Sequence, residues 1–174
     1  MMIKASLLGA GALLMIAAAP ASADSGPTDP EIAHIAYTAG TIDIAAAKQA
    51  LAKSRNASVR AFAQMMIRDH QAVNDQALAL VGKLRVTPAA NSTSTALSTQ
   101  AGATMRRLRT LKGAAFDRAY VRNEAAYHGA VNSALQGTLI PSADNGELKS
   151  LLETGLTLFR EHQMHANQLA KKFK

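Results

Sequence analysis

Apolar residues recur at spacings of three and four along most of this chain, and this period predicts long amphipathic helices. The first predicted helix opens at Thr28, where a capping threonine, Pro30 and Glu31 form a helix-start signal. It runs to about Lys53. The break at residues 54–56 is short, so the next helix is predicted to lie antiparallel beside it.

The second predicted helix has the clearest period in the chain. Its apolar stripe consists of Val59, Phe62, Met66, His70, Val73, Ala77, Leu80 and Leu84. His70 stands in the middle of this stripe, at a position where an imidazole needs a partner to offset the loss of hydration. Pro88 ends the helical pattern.

A long connection follows the second helix. About 28 residues separate Leu84 from Ala114, which is long for a compact domain. Within it, residues 97–111 have the pattern of a short extra helix, with Lys112 and Gly113 predicted as its carboxyl-terminal cap. The connection is therefore predicted to be a crossover that carries a helix of its own.

Two more long helices are predicted, over residues 114–139 and from about Glu147 almost to Lys174, with a turn at residues 141–146. Four long helices with one long crossover between the second and third predict an all-α, ferritin-like four-helix bundle. A three-helix or irregular helical fold is the alternative.

Five residues are predicted to carry the chemistry. His70, His128 and His162 lie in the apolar stripes of three different helices. Glu124 precedes His128 by four residues and so shares its face, and Asp43 lies at the edge of the stripe of the first helix. Counting residues from the turns places these candidates within about one helical turn inside each helix pair, although the relative height of the two pairs stays open. Imidazole and carboxylate groups together indicate a transition-metal site.

A second group of residues is predicted to act as outer ligands or to orient the first group. These are His165, Glu161, Asp69 and Tyr120. The competing interpretation is a structural or stress-related envelope protein, in which the histidines form only a buried polar network.

The spacing of the candidates bears on which metal is bound. Ferritin-like di-iron sites use Glu-x-x-His pairs, whereas Glu124 with His128 and Glu161 with His165 are four residues apart. Many imidazoles and about two carboxylates predict one divalent ion, zinc or copper ahead of iron, with little or no ferroxidase activity. Affinity is expected to fall as the pH drops through the histidine range. A di-iron oxidase-like enzyme is the second alternative.

The amino terminus has the pattern of a secretory signal peptide. Lys4 supplies a positive charge, residues 7–19 are apolar or small, and Ala21-Ser22-Ala23 offers a cleavage site. Cleavage after Ala23 leaves one domain, residues 24–174, in the periplasm; an uncleaved anchor is the alternative.

Composition narrows the function further. The chain has no cysteine, which excludes thiolate catalysis and thiolate metal sites. Its net charge of +7 falls to +6 without Lys4, and the densest basic group is Arg106, Arg107, Arg109 and Lys112. This group is predicted to be a solvated helix face with at most weak contact to anionic lipid or cell-wall polymer. Nucleotide-binding and hydrolase motifs are lacking, and nucleic acid is not expected as a partner of an exported chain with few aromatic residues.

Several strings of residues together resemble one exported bacterial family, the domain of unknown function 4142, for which a ferritin-like fold is expected. They are residues 61–70 (AFAQMMIRDH), residues 113–120 (GAAFDRAY), His128 and Glu161-His162. The resemblance covers residues 31–169 and implies that His70, His128 and His162 are the family's histidine positions. It implies no activity.

Two positions depart from the family pattern. Asp43 stands where the family usually has Glu, and Leu156-Thr157 stands where Leu-Pro is common. Because the aspartate side chain is shorter, its direct coordination of a metal is less secure than that of a glutamate.

Overall fold

The computed structural model describes residues 26–173, and this span contains helices and no strand. The helices are α1 (Asp29–Lys53), α2 (Ala57–Leu84), α3 (Ser92–Thr110), α4 (Gly113–Ala134), α5 (Ile140–Ser142) and α6 (Gly146–Ala170), with a π-helical turn at Leu135–Leu139. The predicted all-helical class is confirmed. The predicted signal peptide, residues 1–23, lies outside the described residues. Within those residues, no helix combines the length and apolar character that a membrane span needs.

Short polar side chains determine where the helices begin. The carboxylate of Glu31 accepts hydrogen bonds from the backbone N–H of Thr28 at 2.9 Å and from its hydroxyl at 2.8 Å, at the predicted start of α1. Asn56 caps α2, and its side-chain oxygen accepts from Ser58 N at 3.0 Å. Asn145 caps α6 in the same way. Each cap satisfies backbone donors that the first helical turn leaves unpaired.

The crossover helix differs from its prediction at both ends. It begins at Ser92 rather than residue 97, because Asn91 and Ser94 exchange hydrogen bonds between side chain and backbone at 3.0 and 3.1 Å. This reciprocal cap turns an apparent Ser/Thr-rich linker into a helix start. The predicted cap at Lys112 and Gly113 is wrong: Leu111 closes α3, and Gly113, with φ of +53°, begins α4.

The turn between α4 and α6 is shorter than predicted. Residues Ile140–Ser142 form one helical turn, and Gly146 already belongs to α6. The carboxylate of Asp29 accepts hydrogen bonds from the backbone of Asp144 at 3.0 Å and Asn145 at 2.9 Å. This contact joins the start of α1 to the start of α6.

The long helices pack in pairs, α1 along α2 and α4 along α6, while α2 meets α6 and α3 lies against α1. Two apolar clusters form the core. One is Ala46, Ala47, Ala50, Val59, Phe62, Ala63, Met66, Leu108, Phe116, Tyr120, Val121, Ala166 and Leu169; the other is Ile32, Ile35, Leu135, Leu139, Ala143, Leu148, Leu152, Leu156 and Phe159. On α1, α4 and α6 the predicted ligands fall between the members of the two clusters. The core therefore consists of two apolar layers with a polar layer between them.

Candidate metal centre

The polar layer contains all five predicted ligands, and each is almost completely buried. Asp43 is 0% exposed, Glu124 and His128 1%, His162 2% and His70 3%. They come from α1, α2, α4 and α6. These residues lie at the level where the helices pass from one apolar cluster to the other. The pair α1 and α2 and the pair α4 and α6 therefore bring their candidate ligands to the same height in the bundle.

Three of these side chains form a triangle with equal edges. Asp43 Oδ2 lies 3.3 Å from His70 Nε2 and 3.3 Å from His128 Nε2, and the two ring nitrogens are 3.3 Å apart. Ligands bonded at about 2.0–2.1 Å to one tetrahedral ion are about 3.3–3.4 Å from each other. The triangle thus has the size of one face of a tetrahedral site. The shorter side chain of Asp43 reaches this position.

The backbone determines which nitrogen of His128 is free. Its Nδ1 lies 3.0 Å from the carbonyl oxygen of Glu124, one helical turn earlier. A carbonyl oxygen only accepts hydrogen bonds, so Nδ1 carries the proton and donates it. The Nε2 of the neutral ring therefore presents its lone pair to the triangle.

His162 is held by a carboxylate at the edge of the layer. Its Nε2 donates to Asp69 Oδ2 at 3.1 Å, and Asp69 also contacts the guanidinium of Arg68 at 3.0 Å. The His162 Nδ1 is buried and has no hydrogen-bond partner among the described residues. A ring nitrogen from each of His70, His128 and His162 lies within 4.8 Å of the other two. This arrangement matches the carboxylate-histidine pairing that orients metal ligands.

Unpaired polar atoms concentrate in this layer. Buried atoms that find no hydrogen-bond partner within residues 26–173 include Asp43 Oδ1 and Oδ2, His70 Nδ1, His162 Nδ1, Glu124 Oε2 and Tyr120 Oη. Each such atom costs about 1–3 kcal/mol. The ligand atoms of Asp43, Glu124 and His128 also lie within 4.8 Å of one another. A bound cation would offset this cost, so the donor set fits a divalent metal ion.

Burial sets the charge state of the layer. Loss of hydration lowers the pKa of His70 to about 2, with neighbouring histidines contributing, and lowers the pKa of His128 to about 4. It also raises the pKa of Asp43 to about 7, and burial together with the Asp43 charge raises the pKa of Glu124. Burial thus favours proton binding at the carboxyl groups and disfavours it at the histidines, and the expected fall in metal affinity through the histidine pH range stays a prediction.

We expect the metal-free protein to lose stability as the pH rises from 6.5 to about 8. A carboxyl with a raised pKa contributes stability that is complete below its ordinary value of 3.8 and is lost as the pH rises through about 7. Histidines with lowered pKa values still gain a little stability until the pH is about one unit above 6.5, and the raised pKa of Glu124 adds to the fall. Thermal melts in EDTA should show a falling midpoint, and saturating zinc should abolish the fall. A flat midpoint in EDTA would contradict this account.

The residues predicted as outer ligands have different surroundings. Asp69 contacts His162 directly, and Tyr120 is buried with its ring stacked on Phe116. Glu161 is exposed, and so is His165, whose ring packs edge-on against Phe62 with centroids 5.2 Å apart.

The predicted basic group lies on the surface. Arg106, Arg107, Arg109 and Lys112 are all exposed, near the end of α3. Their contact with anionic lipid or cell-wall polymer stays a prediction.

Sequence reasoning missed two kinds of neighbour. The ring of Phe159 stacks on His70 with centroids 4.7 Å apart and planes 11° apart, which fixes the imidazole. Asn74 and Asn132 are buried near the layer, and Asn132 donates to the carbonyl oxygen of Phe159 at 3.3 Å. Asn74 lies one helical turn after His70, and Asn132 lies one turn after His128. From this spacing, the sequence could have predicted that both asparagines lie on the same helix faces as the histidines.

We expect Asp69→Asn to weaken zinc binding by roughly 10-fold or more. An amide oxygen is a poorer acceptor than a carboxylate, so His162 would become a weaker and less oriented ligand. Competition with a chromophoric chelator measures the change. Asp75→Asn, on the same helix, is the matched control, because Asp75 is exposed and accepts a hydrogen bond from Gln71 at 2.9 Å. Equal affinities for the two variants would contradict a role for Asp69.

Comparison with known proteins identifies the family and nothing further. No curated protein and no solved structure matches the chain. A family model described as domain of unknown function DUF4142 matches residues 14–169, which is nearly the whole chain. The resemblance seen in the sequence is thus confirmed, and the chain belongs to the family called domain of unknown function 4142.

Proposed function

We propose that this protein is an exported, ferritin-like four-helix-bundle protein that binds one divalent transition-metal ion. Asp43, His70 and His128 would hold the ion, with His162 as the fourth ligand. The observation that carries the proposal is the triangle of donor atoms with 3.3 Å edges. Its size suits tetrahedral coordination, and its imidazole-rich chemistry suits zinc or copper better than iron.

The helix arrangement supports the ferritin-like part of the proposal. Each of α1, α2, α4 and α6 contributes at least one residue to the polar layer. The connection between α2 and α4 is long and carries α3. Ligands that project inward from facing helices, with one long crossover, are features of ferritin-like bundles.

Metal content decides between this function and its competitors. Purified protein should retain close to one zinc or copper ion per chain after gentle dialysis, and the metal-free form should gain thermal stability when the ion is added. Absence of any thermal shift with zinc, copper or iron would favour a structural envelope protein with a buried polar network. Two ions per chain, or rapid oxygen consumption on adding ferrous iron, would favour a di-iron oxidase-like enzyme.

Export has its own test. The charged, apolar and small-residue segments of residues 1–23 support secretion followed by cleavage after Ala23. Intact-mass measurement of periplasmic protein should therefore find a chain that begins at Asp24. Full-length protein retained in the inner membrane would show that the segment is an anchor.

A further inference from the structure

A large cavity lies beside the polar layer. Its volume is about 1160 Å³, and α1, α3, α4 and α6 contribute most of its lining. Ligand pockets for small organic molecules commonly occupy about 300–1,000 Å³. The cavity is thus large enough for an organic molecule and far larger than a metal ion requires.

Small side chains create this space. Ala36, Ala39 and Gly40 line the cavity from α1, and Ala126, Ala130 and Ala134 line it from α4 at a spacing of four. Gly40 is buried and Ala36 and Ala39 are half-buried, whereas Ala126, Ala130 and Ala134 are exposed, so the space is open to solvent along α4. The gap between α1 and α4 is therefore built into the sequence of both helices.

The cavity has a polar end and an apolar end. Asp43 and Glu124 line one end, and both are buried with carboxyl oxygens that lack a partner among the described residues. Leu139 and Leu148 line the other end, where the carboxylate of Glu31 is already hydrogen-bonded to Thr28. From Glu124 to Leu139 the helical rise of 1.5 Å per residue gives a length of about 22 Å. The space thus suits an elongated molecule with a single polar group.

The charge of the cavity lining indicates which kind of polar group a bound molecule would carry. No lysine or arginine lines the cavity, and its acidic residues are Glu31, Asp43 and Glu124. An anionic head, such as a carboxylate or phosphate, would find no positive side chain to pair with. A neutral hydroxyl or carbonyl group can bond to the unpaired carboxyl groups at the polar end.

We infer that this cavity binds a neutral, elongated, largely hydrocarbon molecule whose hydroxyl or carbonyl group lies beside Asp43 and Glu124. The cavity and its lining carry this inference. Asp43, His70 and His128, the corners of the proposed metal triangle, also line the cavity, so ligand binding is measured in the metal-free protein. Failure of metal binding and failure of ligand binding are therefore separate results.

Displacement of a neutral fluorescent probe tests the ligand class. N-phenyl-1-naphthylamine should bind the purified metal-free protein in EDTA with increased fluorescence. Under the same conditions decanol should displace it at least ten times more effectively than decanoate. Absence of probe binding, or equal displacement by decanol and decanoate, would overturn the inference.

Filling the cavity tests the location. Ala130→Phe should weaken decanol binding at least ten-fold, because the new ring would occupy the space. Ala114→Phe is the matched control, since Ala114 is an exposed alanine of the same helix outside the cavity lining. Circular dichroism checks that both variants fold, and Ala134→Phe repeats the test if Ala130→Phe does not. Equal decanol binding by a folded cavity variant and the control would refute the assignment.

Discussion

Replacing His70 with alanine is expected to lower the affinity for zinc by more than about 100-fold, because it removes one corner of the donor triangle. The loss exceeds the 10- to 100-fold typical of groups that only orient a ligand. The variant also loses the thermal stabilisation that added zinc gives the parent protein, since the free energy of metal binding adds to the free energy of folding. Chelator competition and thermal melts measure the two effects.

The control for this experiment is His34→Ala. His34 lies in the first turns of α1, away from the polar layer, and its nearest polar contact is Thr38 at 3.5 Å. We expect this variant to bind zinc like the parent protein. If both variants bound zinc equally well, the triangle would not be the metal site.

Replacing Asp43 with asparagine is expected to weaken zinc binding by a similar factor and, at about pH 8, to make the metal-free protein more stable by about 1–3 kcal/mol. The carboxylate of Asp43 is fully buried beside the buried carboxyl group of Glu124, and burial raises the pKa of Asp43 to about 7, so its ionised form opposes folding. An amide has the same shape and no charge. Its NH₂ group can donate to the lone pair of His128 Nε2.

This pair of effects separates a metal site from a structural network. If Asp43 held the fold together, its amide variant would be less stable than the parent protein in EDTA. Asp29→Asn supplies the contrast, because Asp29 accepts two backbone hydrogen bonds and its replacement should destabilise the protein. Urea unfolding of both variants in EDTA measures the signs. Destabilisation by Asp43→Asn would support the network interpretation.

Much of this centre is predictable from helical periodicity. A period of three and four residues places His70, His128 and His162 inside their helices, and the spacing of Glu124 and His128 places them on one face. Their meeting at one level depends on how α1 and α2 pack against α4 and α6. No residue count across the long connection supplies that information, so it required the structure.

The errors in the prediction have one local cause and one long-range cause. Ser92 to Thr95 read as a linker because serine and threonine are poor helix formers, yet Asn91 supplies the cap that starts α3 there. The stacking of Phe159 on His70 joins α6 to α2 and leaves no trace in the periodicity of either helix. Such contacts between distant segments are outside the reach of local patterns.

The crossover helix α3 is held more loosely than the helices around it. Its buried residues are Ser94 and Leu108, whereas α1 and α6 each have eight or more buried residues. Segments with few buried apolar contacts open at a lower free energy than the whole protein. In hydrogen exchange, the amides of α3 should therefore lose protection first. Because α3 also lines the cavity, its local unfolding would let a large ligand enter while the amides of the other helices stay protected from exchange.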